Sequence, residues 1–161
     1  MDTRDTPEQA ELRRSARQLA RELGPTTVAD LDDATRAKRL AGAVRYAGWL
    51  ELRSDGGDGG PLASGVEAAI VADALGAAVA DVAFSGPVLA ADLVRRVGAS
   101  DTEGAAVAFS QDLTSAAVVA GSVTTAPVAV VDGPNEPAGA AYVLVSDGPG
   151  YRLAQDRKSV V

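Results

Sequence analysis

The hydrophobic pattern changes period near Ser100, and that change limits the fold more than any other feature of the chain. Before it, apolar residues recur at helical spacing. After it, short runs of Val and Ala are broken by Gly, Pro, Asp and Asn. Ala105 to Phe109, Ala116 to Thr124, Val128 to Val131 and Ala140 to Ser146 read as strands, with Tyr151 to Leu153 and Ser159 to Val161 as further edge strands. Asp132-Gly-Pro-Asn-Glu-Pro137 and Asp147-Gly-Pro-Gly150 read as the turns between them. Helices followed by strands, with no βαβ alternation, predict an α+β fold in series: about four helices in residues 1–99, then a partial antiparallel β-barrel in residues 100–161.

The helical half can be read turn by turn. Thr6 is placed to cap, Pro7 suits the first helical position, and Gln9 completes a capping box. Leu12, Ala16, Leu19 and Leu23 then face inward. Arg13, Arg14, Arg17 and Arg21 form a solvated face, partly paired with Glu11 and Glu22, and Gly24-Pro25 ends the helix. Acidic residues from Asp30 to Asp33 suit the start of a second helix, where the macrodipole favours them. That helix points Ala37, Leu40, Val44 and Ala47 inward and closes at Gly48. Trp49, the only Trp, reads as a plug buried between helices. A third helix, about Leu62 to Val79, places Val66, Ile70, Ala74 and Ala77/Ala78 on one stripe and reads as central, because its alanines allow close approach. A break at Ser85-Gly86-Pro87 opens a fourth helix, which stops at Gly98.

Composition removes several chemistries. The chain has no Cys and no His, which excludes disulfides, thiolate nucleophiles, the usual zinc sites and His-dependent triads. Its net charge of −7 argues against nucleic acid and anionic membrane as partners. No apolar run is long enough to span a bilayer and no signal peptide is evident, so a cytoplasmic location is expected. The loop Asp55-Gly-Gly-Asp-Gly-Gly60 lacks the Lys-Ser/Thr of a phosphate loop, no strand precedes it, and its aspartates would repel phosphate. Its spacing is not that of a Ca²⁺ loop either. It reads as a turn in which glycines supply positive φ. The chain stops on Val160-Val161, which is strand-like and has no terminator, so a truncated chain, a proteolytic product or a split gene is expected.

Segments of the first hundred residues resemble the acyl-CoA dehydrogenase family. Thr6-Pro7-Glu8-Gln9-Ala-Glu-Leu12-Arg13 is similar to the family's opening helix, and Tyr46-Ala-Gly-Trp-Leu50 to its "LGWLGL" segment. Asp55 to Gly60 sits where the family has "EEYGGLG". Val66-Glu67-Ala-Ala-Ile70-Val-Ala-Asp-Ala-Leu75-Gly76 resembles its "VLEELG" helix, and Phe84-Ser-Gly-Pro-Val-Leu89 its "PFLASVLLA" break. The resemblance covers about Thr6 to Gly98 and is greatest to the divergent bacterial branch, which includes subunits that pair with a second dehydrogenase subunit. In the β half the hallmark "TEPxxGSD" is absent, and Phe109-Ser110-Gln111-Asp112-Leu113 occupies its approximate place. Gly121-Ser-Val-Thr-Thr125 corresponds loosely to the strand "GxKxxxTN", without its Lys or Asn.

The resemblance implies an N-terminal helical domain, a middle β-barrel and a C-terminal helical bundle, with FAD between barrel and bundle. It implies α,β-desaturation of an acyl-CoA thioester in fatty acid metabolism, in which a carboxylate removes the α proton and the flavin takes the β hydride. Ser110, Thr124 and Thr125 are the cofactor-binding candidates it suggests; as ordinary residues they would be solvent-facing strand positions. The bundle that carries the catalytic Glu has no counterpart in this sequence. Glu67 and Asp73 read as surface or salt-bridging groups, so no catalytic base and no metal ligand is assigned. The expectation is therefore a fragment or degenerate flavoprotein subunit that is inactive alone, and a homo-oligomer or a hetero-oligomer with a dehydrogenase subunit. The alternative is a non-catalytic interaction module that uses exposed apolar surface to pair with itself or with a full-length dehydrogenase. An acidic helical adaptor would leave the β half unexplained.

Overall fold

The structure is a computed structural model that describes residues 5–98 and, as backbone, the strand segments 107–110, 119–120, 123–124, 128–131, 141–147 and 150–156. Four α-helices occupy the first of these regions: α1 (Pro7–Leu23), α2 (Ala34–Tyr46), α3 (Gly65–Ala77) and α4 (Ser85–Val97). The chain divides into two units, one of Met1–Arg53 with Leu62–Val82, the other of Ser54–Pro61 with Ala83–Val161. The expected boundary at residues 99–100 falls outside the described residues.

In the first unit, the start of α1 matches the sequence reading. Thr6 Oγ1 accepts from the Gln9 backbone N–H at 3.2 Å, and Gln9 Oε1 accepts from the Thr6 N–H at 3.0 Å. These bonds satisfy two donors that a helix N-terminus otherwise leaves unpaired. Gly24 ends the helix without a left-handed turn, since its φ is −70°. Glycine is needed there because a Cβ would lie 2.3 Å from the Ala20 carbonyl oxygen. A short 3-10 turn, Val28–Asp32, follows. Asp33 then caps α2, accepting from the N–H groups of Thr35 and Arg36 at 2.9 and 3.0 Å. Gly48, at φ 70°, closes α2 as expected.

Helix α1 packs against both α2 and α3, so the middle position in this unit belongs to α1 rather than to α3. Its most deeply buried residues are the alanines Ala16 and Ala20, while Leu12, Leu19 and Leu23 are half-buried. In α2, Leu40 and Val44 are fully buried as expected, whereas Ala47 is exposed. Trp49 is buried, at 6% exposure.

Helix α3 is shorter than the periodicity suggested, because Ser64 caps it: Ser64 Oγ accepts from the Val66 N–H at 3.1 Å. Its buried face is Ile70, Val71, Ala74 and Leu75. Val66 is 51% exposed and Ala77 is exposed, so the expected stripe is rotated toward Val71 and Leu75. Apart from Glu67 and Asp73 the helix is made of apolar residues and glycine, and its pattern alone could not tell two adjacent rows apart. Beyond its end, Val79 takes φ 51°, a left-handed conformation that costs a β-branched residue energy.

In the second unit, α4 buries Val88, Ala90, Ala91 and Val94, ends at Gly98 with φ 67°, and packs against β1 (Val107–Ser110) and β4 (Val128–Val131). β1 and β4 pair antiparallel, with Val107 opposite Val131. β2 (Val119–Ala120) pairs antiparallel with β3 (Val123–Thr124), so one expected strand is two short ones. β5 (Ala141–Asp147) and β6 (Gly150–Asp156) form the longest ladder, with Leu144 opposite Leu153. Among the described residues these ladders are three separate strand pairs. The strand expected at Ser159 to Val161 lies outside the described residues.

Candidate functional site

Of the cofactor-binding candidates, Ser110 and Thr124 lie on different ladders. Ser110 ends β1 opposite Val128, and Thr124 lies in β3 opposite Val119. Thr125 is outside the described residues.

Side-chain chemistry in the second unit centres on the glycine loop. Asp55 and Pro61 form a backbone bridge, and the Gly56 N–H donates to the Gly60 carbonyl at 2.8 Å. Asp55 Oδ1 accepts from the N–H groups of Gly57 and Gly59 at 2.9 and 3.2 Å, and Asp58 Oδ1 accepts from Gly60 N–H at 2.8 Å. Gly57 and Gly59 have φ of 96° and 81°, the positive values expected. Arg95 of α4 donates from Nη1 to the Gly59 carbonyl at 2.7 Å and from Nη2 to Asp92 at 2.9 Å. The N–H groups of Gly57, Gly59 and Gly60 thus point at the loop's own carboxylates and that of Gly56 at the Gly60 carbonyl, so these four are not turned outward as a cradle for phosphate.

In the first unit the densest polar cluster surrounds Arg36. Its Nε donates to the Asp30 carbonyl at 3.0 Å and its Nη1 to the Leu23 carbonyl at 3.0 Å. The same guanidinium makes a two-pronged pair with Asp81, through Nη1–Oδ1 at 2.8 Å and through Nη2–Oδ2. One side chain therefore fastens the end of α1, the 3-10 turn and the segment after α3. Those bonds hold the Asp81 carboxyl below its ordinary range. Asp30, accepting from the Thr26 hydroxyl and from the N–H groups of Thr26 and Thr27, is lowered to about 2.

Glu67 and Asp73 are surface and pairing groups, as read from the sequence. Glu67 accepts from the Ser64 hydroxyl and from Gln9 Nε2, and these bonds lower its carboxyl, the Ser64 contribution being the larger. Asp73 pairs with Arg13 at 3.4 Å and Arg17 at 3.7 Å. Arg13 also holds Asp5, whose carboxyl it lowers. The carboxyls of Asp5, Glu8, Asp30, Glu67 and Asp81 are all held below their ordinary values. A general base working near neutral pH needs the opposite shift.

Arg36, Asp81 and Arg95 were not visible as a group in the sequence. Arg36 and Asp81 are 45 residues apart and Arg95 is 36 residues from Gly59, and no local spacing signals such pairs. Among the described residues no group of His, Cys, Asp or Glu could hold a metal ion, and no helix is long and apolar enough to cross a membrane. No protein-family model, curated protein or solved structure matches the chain.

Proposed function

We propose that the chain is the helical part and a portion of the middle β part of a flavin-dependent acyl-CoA dehydrogenase-like subunit, inactive in desaturation by itself. The observation that carries this reading is the order of elements. Two helices lead to the Trp49 turn, then to the glycine loop, a Ser-capped helix, a Ser-Gly-Pro opening, a fourth helix and antiparallel strands. The segments similar to the family fall in that same order. On this reading the strand pairs belong to a partial barrel, and Ser110, Thr124 and Thr125 offer hydroxyls and strand amides to the rim of FAD. FAD would supply the hydride acceptor. The acyl-CoA and the α-proton base are met only where a C-terminal bundle completes the site, in a longer protein or in a partner subunit, and the assembly works in the cytoplasm.

A second reading, an interaction module that pairs with itself or with a full-length dehydrogenase, draws on exposed apolar side chains. Tyr46 is 96% exposed, Leu62 61% and Val66 51%. Purification with added FAD separates the two. A yellow chain, absorbing near ~450 nm, supports the flavin reading. A colourless chain that co-elutes with a dehydrogenase subunit supports the module. Dye-coupled turnover of an acyl-CoA by these residues alone would overturn the inactivity of the isolated chain.

A further inference from the structure

The glycine loop carries two Asp-Gly steps, Asp55-Gly56 and Asp58-Gly59, and all four residues are exposed. At such a step the glycine nitrogen can attack Cγ of the aspartate before it, because no side chain shields the approach. The new N–Cγ bond closes a succinimide. The carboxyl hydroxyl leaves as water, taking the proton from the nitrogen. Water then adds to one of the two imide carbonyls. Cleavage of N–Cγ restores aspartate, while cleavage of the bond from nitrogen to the main-chain carbonyl leaves isoaspartate, with the chain continuing through the side chain. One water leaves and one enters, and nothing is oxidised or reduced.

The structure treats the two steps differently. Asp55 is locked by its bridge to Pro61, and the nitrogen that would attack it, Gly56 N, is committed to the Gly60 carbonyl at 2.8 Å. The Asp55 carboxylate is itself occupied by two N–H groups. Asp58 lies outside the bridge, and its carboxylate accepts one N–H, that of Gly60 at 2.8 Å, so its step is held by one hydrogen bond fewer. Its attacking nitrogen, Gly59 N, donates to Asp55 Oδ1 at 3.2 Å, the longer arm of a shared acceptor. We propose that Asp58-Gly59 is a site of spontaneous isoaspartate formation, and that the Asp55 carboxylate restrains it by holding the Gly59 N–H. Arg95, bonded to the Gly59 carbonyl, steadies the same residue from the other side.

The test is storage of the purified chain at neutral pH and body temperature, followed by peptide mapping with isoaspartyl methyltransferase labelling. Isoaspartate should accumulate at Asp58 about fivefold faster than at Asp55 in the folded chain, the rate equivalent of one hydrogen bond. In guanidinium chloride the two sites should converge. Asp55→Ala should raise the rate at Asp58 by a further factor of about five. Asp58→Glu should abolish the signal at that position. Equal accumulation at the two sites in the folded chain, or more at Asp55, would overturn the proposal. So would an Asp55→Ala variant that melts like wild type and reacts at Asp58 no faster. If that variant melts early, the wild-type ratio of the two sites decides alone.

Discussion

Substituting Ala16 by Leu tests what sets the spacing of the helical unit. Ala16 has 0% exposure and sits on the helix that packs against both α2 and α3. The change adds three carbons where no space is open, and overpacking of this kind costs about 1–3 kcal/mol. Ala10 is the control, since it lies on the same helix and is exposed. Ala→Leu alters helix propensity equally at both sites, so the difference between the variants isolates packing. With a loss of about 2 kcal/mol and a urea slope of about 2 kcal/mol per molar, Ala16→Leu should lower the urea midpoint by ~1 M. Ala10→Leu should stay within about 0.5 kcal/mol of wild type. Circular dichroism at the helical band follows both transitions. If the two variants melt together, the alanine face of α1 is not a close contact and the assignment of its buried side is wrong.

Leu40→Ala, at a fully buried position, should cost about 2–5 kcal/mol in the same urea assay, while Tyr46→Ala on the same helix stays within about 0.5 kcal/mol of wild type. Val79→Gly should raise stability by about 1 kcal/mol, since it relieves a left-handed φ at a residue 75% exposed and removes little burial; an unchanged or lower midpoint would contradict the strain. Asp81 and Asp30 have folded-state carboxyls below their ordinary value, so their stabilisation is present above the unfolded pKa and is lost as pH falls through the folded one. For Asp30 that window runs from its ordinary 3.8 down to about 2, and carbon-detected titration of its carboxyl should show a midpoint near the lower end.

Most of the helical half was legible because its signals are local. The Thr6-Pro7-Gln9 box, the Asp33 cap and the left-handed glycines at 48 and 98 each act within a turn of their own position. The buried face of α3 was not legible, because a helix with only two charged residues among apolar ones leaves adjacent rows equivalent until its neighbours exist. In α1 the row of Leu12, Ala16, Leu19 and Leu23 was legible, yet its depth was not: Ala16 and Ala20 lie deepest, since closeness between helices is a tertiary choice. Arg36 and Asp81 find each other across the whole unit, and sequence order carries no trace of that meeting. In the β half one apolar run expected as a single strand is the antiparallel pair β2 and β3. For the site, the loop's positive-φ glycines could be anticipated, whereas the Arg95 bond to Gly59 could not.

The side-by-side course of α1 and α3 bears on how the protein is made. Gln9 bonds to Glu67 and Arg13 to Asp73, across 58 and 60 residues, and both pairs advance in the same direction along the two helices. Helices that run parallel cannot be joined by a tight turn, so α1 must wait while α2 and the glycine loop are synthesised. A chain emerging from the ribosome leaves the α3-facing side of α1 uncovered until α3 arrives. Closing so long a segment slows the search relative to a bundle of antiparallel neighbours. A stop codon placed before α3 would leave α1 without that partner for good.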